Sequence, residues 1–108
     1  MSSNYTVDPV KWANLDIFNQ MGNIYSEVGR SFKASNDIAT HNAAVARAID
    51  LFDATIEAQL ATKSPKAREV SRAKQQFLEV VTGSKNPDSM ASLDRYFMQF
   101  AIAARLQR

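Results

Sequence analysis

The chain contains no cysteine. That excludes disulfide cross-links, thiolate nucleophiles and metal sites built on sulfur. It is compatible with a reducing cytosol, and a cytoplasmic location is expected. Glycine and proline are scarce, with three of each in 108 residues, so few positions can interrupt a helix. No apolar run approaches the ~18 residues that span a bilayer, and the opening Met-Ser-Ser-Asn-Tyr lacks the basic-then-apolar pattern of a secretory signal. Neither a membrane span nor a leader is therefore expected. There is one histidine, His41. Its neighbours three residues away on either side are Ile38 and Ala44, so the Glu-x-x-His pairs that hold metals in helical bundles are missing. A metal centre or other cofactor is not expected, and His41 reads as a surface or boundary residue.

What the chain does have is apolar side chains at 45%, too many for disorder and enough for one core at this length. Alanine is abundant. Charge is small overall, +2, but unevenly spread: residues 1–63 carry five Lys/Arg against seven Asp/Glu, while residues 64–108 carry eight against four. This polarity suits head-to-tail or self-complementary contacts better than a nucleic-acid surface, for which no motif or interleaved aromatic pattern is present.

Hydrophobic periodicity predicts an all-α, four-helix bundle-like domain, antiparallel and up-down, with helices at about 9–33, 37–61, 65–81 and 88–106. The first is read as one rod, capped by Asp8 with Pro9 at its first position. It carries one row at Leu15, Phe18, Tyr25 and Phe32 and a second at Ile17, Met21, Ile24 and Val28. So wide a face requires at least two partner helices. Gly22 and Gly29 continue the first row and imply close backbone approach by a neighbour. Tyr5 and Val7 precede the rod as a lead-in.

Ser35, Asn36 and Asp37 are candidate caps in the first turn. The second helix has a stripe at Ile38, Val45, Ile49, Phe52, Ile56 and Leu60, flanked by Ala44, Ala48 and Leu51. Ser64 and Pro65 start the third helix, with Ala67, Val70, Ala73, Phe77, Leu78 and Val81 inward. Gly83 is read as a terminator with positive φ, and Asp88 or Ser89 as the cap of the fourth helix. Met90, Leu93, Phe97, Phe100, Ala101 and Ala104 form that helix's inward face. Met98, Ile102 and Leu106 lie beyond it, and such breadth in a terminal helix points to a subunit interface.

Candidate chemistry is sparse. No serine has an evident base, and no glycine-rich phosphate loop exists. Asp50, Asp53 and Glu57 share one helical face; a solvated acidic stripe is the ordinary reading, a network with arginines from a neighbouring helix the sharper one. Arg47 can pair locally with Asp50. Glu27 and Arg30 form a second pair, and Tyr96, Gln99 and Arg105 a polar group on the last helix. A carboxylate-based enzyme around Glu27, Asp50 and Asp53 would need at least two of them in one cleft. Arg68, Arg72, Lys74 and Arg105 could supply an anion-binding surface for an acidic ligand or nucleic acid. Trp12 covers one end of the bundle or lines a pocket there.

The runs Gly22-Asn-Ile-Tyr-Ser-Glu-Val-Gly-Arg30, Ala48-Ile-Asp-Leu-Phe-Asp-Ala-Thr55, Arg68-Glu-Val70 and Tyr96-Phe-Met-Gln-Phe-Ala-Ile-Ala-Ala-Arg105 resemble a group of small, all-helical prokaryotic proteins generally described as uncharacterised. The likeness covers about residues 20–105. It implies a compact helical fold and directs attention to Ser26, Glu27, Arg30, Asp53, Thr55, Arg68, Tyr96, Gln99 and Arg105; it supplies no activity. The pattern is also similar to helical nuclease and nucleotidyltransferase-partner domains of prokaryotic toxin–antitoxin systems. Those nucleases carry an arginine, four residues and a histidine on the last helix. Here Arg95 is followed by Phe100 and Ala101, which speaks against ribonuclease activity. The resulting expectation is a non-enzymatic interaction protein forming a homo-oligomer, with a dimer favoured and a protein partner allowed, or else a binding module for an acidic ligand or nucleic acid; by analogy, a non-catalytic partner role in a toxin–antitoxin-like system is also open.

Overall fold

The computed structural model describes residues 7–34, 36–83 and 87–106. Five helices form: α1 (Pro9–Ala13), α2 (Ile17–Lys33), α3 (Ile38–Ala61), α4 (Lys66–Thr82) and α5 (Pro87–Leu106). Tyr5, Ser35 and the loop residues Ser84, Lys85 and Asn86 lie outside the described residues, as do the side chains of Ala101 and Ala104.

The expected N-terminal rod is two helices, not one. Asp8 caps α1 as anticipated, its carboxylate accepting from the backbone N–H of Val10 at 3.0 Å and of Lys11 at 3.3 Å. The chain then turns at residues 14–16, and Asp16 caps α2 by accepting from the Asn19 N–H at 2.8 Å. Asn14 and Asp16 are good cap residues, and capping here competes with helix continuation. The break also lets Trp12 swing inward, where only 9% of its surface stays exposed. Leu15, placed on the apolar face of a continuous rod, is left 38% exposed at the turn.

α2 packs against both α3 and α5, so its wide face does take two partners. Cross-helix pairs show the directions. Gln20 meets Gln59, Glu27 meets Arg47 and Ser31 meets His41, so α2 and α3 run antiparallel. Asp53 meets Lys74 and Phe52 meets Phe77 between α3 and α4. Phe18 meets Phe100 and Tyr25 meets Phe97 between α2 and α5. The order around the bundle is α2, α3, α4, α5, with α1 folded onto α3. Among the described residues there is no strand.

The core centres on Phe52 and Phe97, both fully buried, whose ring centroids lie 5.7 Å apart. Phe77 stacks on the other side of Phe52 at 5.8 Å. The rows are ranked differently from their sequence order. On α2 the second row supplies the centre, through Met21, Ile24 and Val28, while Phe18, Tyr25 and Phe32 are half-buried at its edge. On α3 the flanking Ala44, Ala48 and Leu51 are buried, and the ends of the stripe, Ile38 and Leu60, are 78% and 62% exposed. Ile38 lies in the first turn and Leu60 in the last turn of α3, a helix long enough to reach past a core only a few turns deep. On α4, Val80 is buried and Val81 and Leu78 only partly so.

The caps divide. Asp37 caps α3, accepting from the N–H and the hydroxyl of Thr40 at 3.1 and 2.7 Å. The hydroxyl first, then the amide, hold its carboxyl below the usual carboxylate range. Between α3 and α4 the Ser64 N–H donates to the Gln59 carbonyl and the Lys63 N–H to that of Leu60, with Lys63 left-handed at φ 56°. This pattern closes a helix end by satisfying its last carbonyls. Ser64 accepts from the Lys66 N–H at 3.2 Å, and α4 starts one residue later than anticipated. Gly83 has φ −107°, so it is not required for a left-handed turn. It is required because a Cβ there would sit 2.8 Å from the Glu79 carbonyl oxygen. α5 begins at Pro87, which puts Asp88 in its first turn rather than at its cap. Close approach also fails at Gly29, where a Cβ would meet nothing within 4 Å.

Candidate functional site

The α2–α3 seam holds a polar pair of contacts on one carboxylate. Glu27 accepts from Arg30 at 2.8 Å and from Arg47 at 3.2 Å. Arg47 was expected to serve Asp50 along its own helix; instead it reaches across to Glu27. Glu27 is more enclosed than either arginine, and two cations on it fix the register of α2 against α3. The Arg30 contact alone, exposed and local, is worth about 0.2–0.5 kcal/mol. Ser26 is exposed, its hydroxyl donating to the Gly22 carbonyl at 3.3 Å. His41 ties the same end: its Nδ1 lies 2.9 Å from the Ser31 carbonyl oxygen, so Nδ1 carries the hydrogen.

The remaining polar residues do not join this group. Asp53 is exposed on α3 and is held by Lys74 of α4 at 2.6 Å. Arg68 and Arg72 stand exposed one turn apart on the outer face of α4, Gln99 is exposed on α5, and Arg105 is exposed in the last turn of α5. The four-member anion surface is therefore split, since Lys74 is turned to a carboxylate. Tyr96 points inward against the rings of Phe97 and Phe100. Its hydroxyl is buried and has no hydrogen-bond partner among the described residues. Burial, then the negative charge of Glu69, pushes its pKa up to about 12.

Two of the surface grooves bear on these residues. The smaller, about 390 Å³, is lined by Tyr25, Ser26, Gly29, Arg30, Lys33 and Asp94. Burial first, then a hydrogen bond to the Asp94 carboxylate and its charge, raise the Tyr25 phenol above its ordinary value. The larger, about 490 Å³, runs between α1 and α3. Val7, Pro9, Ala13, Ala54, Ala58 and Ala61 give it an apolar lining, and Asp50, Asp53 and Glu57 edge it. Asp50 and Asp53 thus share a cleft and Glu27 does not. All three edging carboxylates are exposed, and neither histidine nor serine lines the groove. Among the described residues, no three His, Cys, Asp or Glu side chains gather as a metal ion would need.

Sequence reasoning named Trp12 and Thr55 separately and missed the arrangement that joins them, the most extended polar one among the described residues. The Trp12 indole N–H donates to Thr55 Oγ1 at 2.8 Å, fully inside. The Gln20 amide donates to the Trp12 carbonyl at 2.8 Å and to the Leu15 carbonyl at 3.2 Å, and the Gln59 amide donates to Gln20 Oε1 at 3.2 Å. Gln20 and Thr55 are almost wholly buried. The two carbonyls satisfied by Gln20 are those released where the rod breaks, so this relay is the inner half of the turn at 14–16. Its signal in the sequence was a glutamine, Gln20, lying directly beside the core residue Met21.

Fold and site together define a class, an all-α bundle with five helices among the described residues. No helix among the described residues is long and apolar enough to cross a membrane. Set against known protein families, curated proteins and solved structures, the chain finds no match.

Proposed function

We propose that this chain is a non-catalytic interaction protein that self-associates, with a dimer as its smallest assembly, through the outer flank of α5. One observation carries this reading: Met98, Ile102 and Leu106 recur every fourth residue and stay 41%, 44% and 79% exposed, on a helix whose other side already fills the core with Leu93, Phe97 and Phe100. Fully burying such a side chain is worth about 1.5–3 kcal/mol. Three from one copy, about half exposed to begin with, and a comparable apolar area on the surface that receives them give roughly 5–9 kcal/mol, within the 4–15 kcal/mol range estimated for the association cost. The flank therefore supports weak association by itself, and polar contacts around it set the final affinity. Absence of cysteine supports a cytoplasmic setting, and the residue runs quoted above support membership in the prokaryotic group of small helical proteins.

A second reading, capture of an acidic ligand or nucleic acid, draws its support from Arg68 and Arg72, exposed on α4 with no carboxylate partner among the described residues. Sedimentation equilibrium separates the two. Self-association predicts a mass that rises with concentration up to ~100 µM, and an Ile102→Glu variant that stays monomeric with unchanged helical circular dichroism. A strict monomer throughout, combined with salt-sensitive binding to RNA, would transfer the assignment to the arginines of α4.

A further inference from the structure

Among the described residues, two surfaces have no counterpart within one copy and are complementary to each other. One is the groove between α1 and α3, where Ala54 and Ala58 lie in the lining and Asp50 and Glu57 stand at the edge. The third carboxylate, Asp53, is already held by Lys74. The other is the α5 flank, where Met98, Ile102 and Leu106 form an apolar line with Arg95 one turn before Met98 and Arg105 one turn after Ile102. Both arginines are exposed. A concave apolar strip edged by carboxylates thus faces outward on one side of the bundle, and a convex apolar strip edged by guanidiniums on another.

The geometry points to the α5 flank of one copy seated in the α1–α3 groove of a second copy. This rests on the self-association proposed above and names the surface that receives the flank. Three features favour the groove over a second α5. In a pairing of α5 with α5, Arg95 and Arg105 of both copies crowd one seam, like charge against like, whereas the groove presents opposite charge. Alanines in its lining let a helix come close, because interaxial distance is set by the side chains at the contact. Spacing is compatible as well: Asp50 and Glu57 are about 10 Å apart along α3, Arg95 and Arg105 about 15 Å apart along α5, and two arginine side chains cover the difference. α3 and α5 stand at opposite corners of the bundle, touching only through core residues such as Phe52 and Phe97. A copy cannot satisfy itself, so the contact repeats head to tail.

Two variants of the full chain test this by sedimentation. Asp50→Lys with Glu57→Lys alters the groove and leaves the flank; Met98→Glu with Ile102→Glu alters the flank and leaves the groove. All four positions are exposed, and circular dichroism checks that each variant folds. The wild type is expected to grow past a dimer as concentration rises. Each variant alone is expected to associate at least ~10-fold more weakly. Mixed together, they are expected to form a 1:1 heterodimer that grows no further, because only one intact groove and one intact flank meet. A wild type that stays monomeric overturns this inference together with the self-association reading. A groove variant that associates like the wild type, with no heterodimer in the mixture, overturns the groove alone and leaves α5 pairing with α5.

Discussion

The end of the bundle closed by α1 and the flank of α5 invert the usual pattern in opposite senses. At the first, polar side chains are inside: Trp12, Gln20, Thr55 and Gln59 form a chain of hydrogen bonds, and it serves the buried Trp12 carbonyl and the part-buried Leu15 carbonyl of the broken rod. Along the second, apolar side chains are outside, with Ile102 and Leu106 left uncovered by the described residues. A buried polar group is tolerated when it is fully satisfied. An exposed apolar line costs the monomer little. The first arrangement therefore holds the fold together, and the second is available for a partner. Substitutions should separate the two cleanly: stability changes without assembly at one place, assembly without stability at the other.

The largest effect belongs to the relay. Thr55→Val keeps the shape of the side chain and removes the acceptor for the Trp12 indole N–H, leaving a buried donor unpaired. A loss of about 1–3 kcal/mol is expected, read as a lower urea midpoint with an unchanged slope. Because Trp12 is the sole tryptophan, its fluorescence reports the same site directly. Self-association should be unaffected. If the variant were as stable as the wild type, the turn at 14–16 would owe nothing to its inner half, and the contrast with α5 would collapse.

That relay is also where the sequence was least legible. Element type was clear, because alanine-rich segments with a 3.6-residue period and few glycines leave little choice but helix. The caps at Asp8 and Asp37 and the turn around Ser64 were readable from residue type alone. The break at Asn14–Asp16 was not, since Leu15, Phe18 and Tyr25 keep helical spacing across it and only tertiary burial of Trp12 decides the matter. Periodicity likewise identified the apolar rows and misjudged which of them is central, because period says which residues share a face and not where the neighbouring helix crosses it. Charged partners were harder still. Arg47 serves Glu27 twenty residues away rather than Asp50 three away, and a local rule has no means to foresee that.

An intermediate case sharpens the comparison. Tyr96 is a polar group inside α5 without the partners that the relay enjoys. Tyr96→Phe removes a hydroxyl that burial penalises, so a change of less than about 1 kcal/mol in either direction is expected, in contrast to Thr55→Val. Its pH dependence is diagnostic. The phenol titrates at its usual 10.0 in the unfolded chain and at about 12 in the native one. Stability from this group is whole below pH 10 and falls as pH rises from there toward 12, where the unfolded chain has lost a proton that the native chain keeps. Phenylalanine should remove that slope. A near-ultraviolet titration of the native protein in which all three tyrosines ionise near 10 would show that the Tyr96 hydroxyl reaches water.

The smallest effect on the fold should come from the α5 flank. Met98→Ser with Ile102→Ser exchanges two exposed apolar side chains for small polar ones. At a concentration where the wild type is monomeric, the unfolding free energies should agree to within about 0.5 kcal/mol. As concentration rises, assembly stabilises the wild type by mass action and leaves the variant where it was. The gap between their melting temperatures should therefore open with concentration. A gap already present at the lowest concentration would mean that Met98 and Ile102 support the monomer's own packing against α2, and the line along α5 would then be an outlying part of the core rather than a surface kept for a partner.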